Sequence, residues 1–218
     1  MKTGAKASEL KLEIVNSLLH GFGILFGIIS MPVLIADATK YNNLAGMAGS
    51  VIYGFCFLML FTFSTLYHGF QQPKIKEILK ILDHISIYFL IAGTYTPIIL
   101  IFVNNPFGIS LLVILWSLTA LGIFFKIFFT GRFEIASVTI YILMGWILFA
   151  GGKTFFAAMP IPVIVLIATG GGLYCIGVIF YLWQKYTYHH AIWHLFVLAA
   201  AICHYVAVLM AVAPNPTG

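Results

Sequence analysis

His20, His68, Asp83, His84, His190, His194 and His204 are ionisable residues set inside, or at the ends of, long apolar runs. Their spacing suggests metal chemistry. His190 and His194 stand four residues apart, so on a helix they project from one face. Ser64 and His68 share that spacing. Two imidazoles from one helix and a third from another form a zinc set with an open fourth position, the arrangement of a catalytic site that holds water. Asp83 suits a partner that hydrogen-bonds and orients that water, with direct ligation as the alternative. Ser64 suits a residue that orients a ligand or donates to a developing oxyanion. Each has a plainer reading when taken alone. A histidine is unremarkable at a membrane boundary, Asp83 would be favoured by a helix N-terminus, and a serine often bonds back to its own helix. Taken together at one depth, the four favour the metal.

The elements that must bring them together are membrane spans. The chain has 218 residues, 62% hydrophobic and 8% charged, with mean hydropathy +1.06. A soluble domain carries about 25% charged residues. Too few polar side chains are present to cover a surface facing water. That excludes a soluble globular protein, a disordered chain and a disulfide scaffold, and leaves an all-α polytopic membrane protein. A span needs ~20 mostly apolar residues. Seven segments qualify: 12–36, 43–68, 78–103, 107–129, 134–151, 159–183 and 189–212. Short connections make 1–218 a single seven-helix domain, with no soluble domain expected at either end. The basic start and Ala36-Asp37-Ala38 imitate a signal peptide. The first apolar stretch is too long for that and holds Asn16 and His20, so a retained helix is expected.

Lys2, Lys6, Lys11, Lys74, Lys76, Lys80, Lys126, Arg132 and Lys185 fall on one side of this topology, and only Lys40 and Lys153 on the other. The positive-inside rule then puts the N-terminus in the cytoplasm and the C-terminus outside. His68, Asp83, His190 and His194 all land near the cytoplasmic ends of their helices. His204 lies ten residues beyond His194, ~15 Å deeper. It and His20 are read as core hydrogen-bonding groups, His84 as a structural neighbour, and Lys126 as a side chain that snorkels to the interface. Pro97, Pro160 and Pro162 are candidate bends, and Gly170, Gly171 and Gly172 a close-packing stretch. The net charge of +5 forms no nucleic-acid footprint. Cys56, Cys175 and Cys203 have no metal spacing and read as free thiols.

Three segments carry a family resemblance: Ser64-Thr-Leu-Tyr-His68, Leu82-Asp83-His84 through Pro97, and His190-Ala-Ile-Trp-His194. With Asn16-Ser-Leu-Leu-His20-Gly they resemble the haemolysin III family, the bacterial branch of the progestin and adipoQ receptor group, over about residues 12–210. The resemblance implies a seven-helix bundle in a bacterial plasma membrane, with Zn2+ on His68, His190 and His194, the family's aspartate at Asp83 and its serine at Ser64. The wider group includes alkaline ceramidases, so the leading expectation is a zinc-dependent hydrolase of a lipid amide or ester. Its partner would be a membrane lipid, such as a sphingolipid, and the role membrane lipid homeostasis. The alternative is a pore-forming haemolysin or a lipid-sensing membrane protein whose zinc is structural. A haem protein, with axial ligands such as His20 and His204, is a third reading.

Overall fold

The structure, a computed structural model, describes residues 2–213. Residues 1 and 214–218 of the expected single domain lie outside the described residues, as do the side chains of residues 2–7, Lys2 and Lys6 among them. All described regular structure is helical: α1 (Lys2–Lys40), α2 (Leu44–Gly69), α3 (Pro73–Phe102), α4 (Pro106–Phe129), α5 (Glu134–Gly145), a 3-10 helix (Ile147–Gly151), α6 (Gly152–Ala157), α7 (Ile161–Leu182) and α8 (His189–Val212). Six helices are long and apolar enough to cross a membrane, and α5 is a shorter apolar helix.

Ends follow local chemistry. Asn43 and Asn105 cap α2 and α4 by accepting from the amides of Gly46 and Gly108 at 2.7 and 3.0 Å. Pro73, Pro106 and Pro162 sit in first turns, where the missing N–H costs nothing. Pro160 caps α7 and so precedes it, while Pro97 lies within the uninterrupted α3.

Helices α1 to α4 pack as successive neighbours, and α8 lies against α1, α2, α3 and α7. Two thirds of the apolar window of α3 is buried (67%), against 17% for α7, so α3 is a central helix and α7 a peripheral one. On α1 the buried stripe is Asn16, His20, Gly23, Gly27, Met31 and Leu34, while Leu18, Phe22, Leu25 and Ile29 face outward. Polar groups and glycines thus face the neighbouring helices over the first half of this stripe, with Met31 and Leu34 packed beyond them, and large apolar groups face outward. Gly170 serves such an approach: a Cβ there would run into the His204 ring.

The fifth expected span, 134–151, is the main departure. Regular α-helix stops at Gly145, because the Tyr95 hydroxyl donates to the Gly145 carbonyl. The chain tightens into the 3-10 helix, where the Phe149 amide donates to the Trp146 carbonyl at 3.0 Å. Gly152, at φ 55°, turns it into α6. The segment nevertheless runs alongside α3. Glu134 meets Tyr181 near the end of α7, and Tyr141 reaches the His84 carbonyl at 3.1 Å. Gly145 then meets Tyr95, farther along α3. This order means α5 climbs beside α3. Twelve α-helical residues and five 3-10 residues rise together ~28 Å, about the hydrocarbon thickness of ~30 Å.

Candidate metal centre

Register between α1 and α2 sets the depth of the site. Ser17 Oγ donates to the Thr65 carbonyl at 3.0 Å, Gly23 backs onto Phe61, and Gly27 onto Leu58. This antiparallel pairing puts Glu13 level with His68 and His20 level with Ser64. The Nδ1–H of His68 donates to Glu13 Oε2 at 2.6 Å, and Lys76 Nζ pairs with Glu13 Oε1 at 2.9 Å. With the Nδ1 proton held by a carboxylate, His68 Nε2 is left with its lone pair facing inward.

That nitrogen lies 3.0 Å from His194 Nε2. His190, one turn before His194 on α8, stacks edge-on to it at a ring-centroid distance of 4.5 Å. One nitrogen from each of His68, His190 and His194 lies within 4.8 Å of the others. His68 and His194 are buried and His190 is half-buried. Zinc–imidazole bonds of ~2.0–2.1 Å in a tetrahedron separate the nitrogens by ~3.3 Å. The observed spacing brackets that value, and three neutral imidazoles are a fitting donor set for a divalent transition metal. A buried three-histidine group able to bind a metal is therefore present.

The remaining sequence candidates distribute around it. Asp83 and Ser64 are polar neighbours, with His68 also within electrostatic reach of Asp83. Ser64 is buried, and its hydroxyl lies within hydrogen-bonding reach of the Asp83 carboxylate. His84 stands beside Asp83, its Nδ1 on the Lys80 carbonyl at 2.6 Å. His204 bonds the Ile167 carbonyl at 3.2 Å, the core role expected of it. This engages one end of the haem pair considered above.

His20 is buried in the core within hydrogen-bonding reach of the His194 backbone, and its ring packs edge-on against His194 at 3.8 Å and Phe61 at 5.0 Å. It therefore also borders the three histidines. One expectation is corrected: Lys126 does not snorkel outward; it is 1% exposed and faces a cavity. Glu13 is the functional candidate that sequence reasoning missed. Its signal was available: Glu13, Asn16 and His20 share one face at i, i+3 and i+7.

The cavity has a volume of about 280 Å³, near the lower end of the range for ligand pockets, ~300–1,000 Å³. It lies between α3, α5, α7 and α8, and its walls are largely apolar, including Ile87, Ile91, Val138, Val178 and Trp193. Asp83, His190 and His194 line one side of it. Donors and a proton acceptor thus face a space shaped for an apolar ligand.

Similarity to known proteins covers the same residues. The family described as Haemolysin-III related matches residues 8–205. Hemolysin-3 of Bacillus cereus is 42% identical over 206 residues, 94% of either chain. The Hemolysin-3 homolog of Bacillus subtilis is 42% identical over 200 residues, covering 92% of this chain and 94% of its own. The human monocyte to macrophage differentiation factor is 28% identical over 172 residues, covering 76% of this chain and 71% of its own. These likenesses and the six long apolar helices make the chain a multi-pass integral membrane protein.

Proposed function

Because this chain belongs to the haemolysin III family, we propose that it is a zinc-dependent intramembrane hydrolase of a lipid amide or ester. The observation that carries this reading is the convergence of His68, His190 and His194 beside an apolar, lipid-compatible cavity that His190, His194 and Asp83 line. The side carrying Lys74, Lys76, Lys80 and Lys185 faces the cytoplasm in this reading.

When bound to the three imidazoles, zinc supplies a Lewis acid that polarises the scissile carbonyl and acidifies the attacking water to a pKa of ~7. The protein's own groups do the rest. Asp83 accepts the water proton as the water oxygen bonds to the carbonyl carbon, then delivers it to the departing nitrogen or oxygen. Ser64, a buried hydroxyl beside Asp83, donates to the oxygen on which negative charge develops. Glu13 holds His68 in its tautomer and orientation. The acyl chain lies among Ile87, Ile91 and Val138, which keep bulk water away.

Metal content and hydrolysis of a panel of fluorescent acyl amides and esters, measured on purified wild type, His194→Ala and Asp83→Ala, test this. The reading expects stoichiometric zinc and turnover in wild type, loss of both in His194→Ala, and retained zinc with lost turnover in Asp83→Ala. Full zinc and hydrolysis in His194→Ala would overturn the assignment. No turnover in wild type, together with ion leakage from liposomes, would instead favour a pore with a structural metal.

A further inference from the structure

Lys126 is an ammonium group in a place where such groups are costly. It is 1% exposed, and among the described residues no carboxylate lies within 4.0 Å of it and no hydrogen bond engages its Nζ. An unpaired buried charge costs several kcal/mol, so buried lysines are normally matched by an opposite charge.

Its position follows from the packing of α3 on α4. The Thr119 hydroxyl lies 3.4 Å from the Tyr88 carbonyl, and Gly122 faces the Tyr88 ring so closely that a Cβ would fall 2.6 Å from it. One turn farther along this antiparallel pair, His84 faces Lys126. One turn beyond that, Lys80 Nζ reaches Gly131, at 3.7 Å from where its Cβ would stand. Lys80 and Lys126 therefore form one wall of the cavity, the α4 side, while the three histidines stand on α2 and α8. The charged groups within electrostatic reach of Lys126 are Glu134, Lys80 and, from its own side, His84. Glu134 is engaged by the Tyr181 hydroxyl at 3.2 Å. On this wall two lysines face one carboxylate, Glu134, while the cavity's other carboxylate, Asp83, neighbours Ser64 and His68.

We infer that Lys126, supported by Lys80, is a subsite for the anionic group of the ligand, and that the cavity takes an acyl amphiphile bearing a phosphate or carboxylate. The acyl chain fills the apolar part, and the anion adds a second counter-charge to the one that Glu134 supplies for two lysines. This deepens the reading of the cavity as a lipid site, on which it rests. It depends neither on hydrolysis nor on zinc.

Binding to the full-length protein in detergent is read by quenching of Trp146 and Trp193, which line the cavity. The probes are a dibromostearate, its methyl ester, and a lysophosphatidate with the same dibromo chain. The anionic probes are expected to bind about tenfold or more tightly than the ester, the scale of a charge-assisted hydrogen bond. The preference should vanish in Lys126→Met, which keeps the side-chain volume, and survive in Lys126→Arg. It should also survive in His194→Ala, which removes a metal ligand. Excess inorganic phosphate should not displace the lipid anions. Retained preference in Lys126→Met overturns the subsite, and loss of it in His194→Ala assigns the anion to the metal instead. Displacement by free phosphate overturns the acyl requirement. Quenching by all three probes with equal affinity overturns the subsite alone, whereas no quenching by any removes the lipid cavity itself.

Discussion

Replacing Glu13 by Gln separates the metal centre from ordinary helix packing. The carboxylate makes two charge-assisted contacts, to His68 Nδ1 at 2.6 Å and to Lys76 Nζ at 2.9 Å, and joins α1, α2 and α3 at the level of the histidines. The amide retains an oxygen able to accept from His68, so the ring can stay in place. What it lacks is charge. Charge-assisted hydrogen bonds are roughly twice as strong as neutral ones. Loss of such a partner to a ligating histidine typically weakens metal binding ~10–100-fold, or ~1.4–2.7 kcal/mol. Titration of metal-stripped protein with zinc, in competition with a fluorescent chelator, measures this directly. A weakening in that range is expected in Glu13→Gln, and a smaller one in Lys76→Met, which touches His68 only through Glu13. A cobalt-loaded sample should keep a tetrahedral visible spectrum, showing that the three ligands still engage. If folded Glu13→Gln bound zinc as tightly as wild type, Glu13 would be merely a salt-bridge partner, and the reasoning from the fixed tautomer would fall.

Further outcomes are expected. Tyr95→Phe leaves the Gly145 carbonyl without its donor inside the bundle. It should lower stability by ~1–3 kcal/mol, read as a fall in the detergent melting temperature; an unchanged melt would mean the carbonyl finds another partner. Gly122→Ala places a methyl 2.6 Å from the Tyr88 ring, which is held by Tyr141 at 4.5 Å. A loss of ~1–3 kcal/mol is expected from the same melt, and a neutral result would show that α3 and α4 can separate freely.

The bundle was largely legible because hydropathy alone demands spanning helices. The i, i+4 pair His190/His194 was legible because one turn of helix suffices to interpret it. Asp83 and His68 were brought to one level by alternating topology, without side-chain detail. The break in the fifth crossing was not legible. It depends on Tyr95 donating to a carbonyl fifty residues away, and no local pattern around Gly145 encodes that partner. The contact of His20 with His194 was not legible for a related reason. Counting turns from the start of an apolar run gives depth within one helix, whereas that contact depends on the register of α1 against α2. Lys126 was misread because a basic residue near a span end fits snorkelling equally well until the interior behind it is known to be hollow.

Two of the three imidazoles arrive on the last membrane helix, 126 positions after His68 in the case of His194. During synthesis the early helices can insert and pair while the cation seat is still only one side chain. The seat closes when α8 docks against α1, α2 and α3. On the proposed zinc reading, metal capture belongs to the end of biogenesis, and a chain truncated before α8 would lack two of the three histidines that could hold the ion.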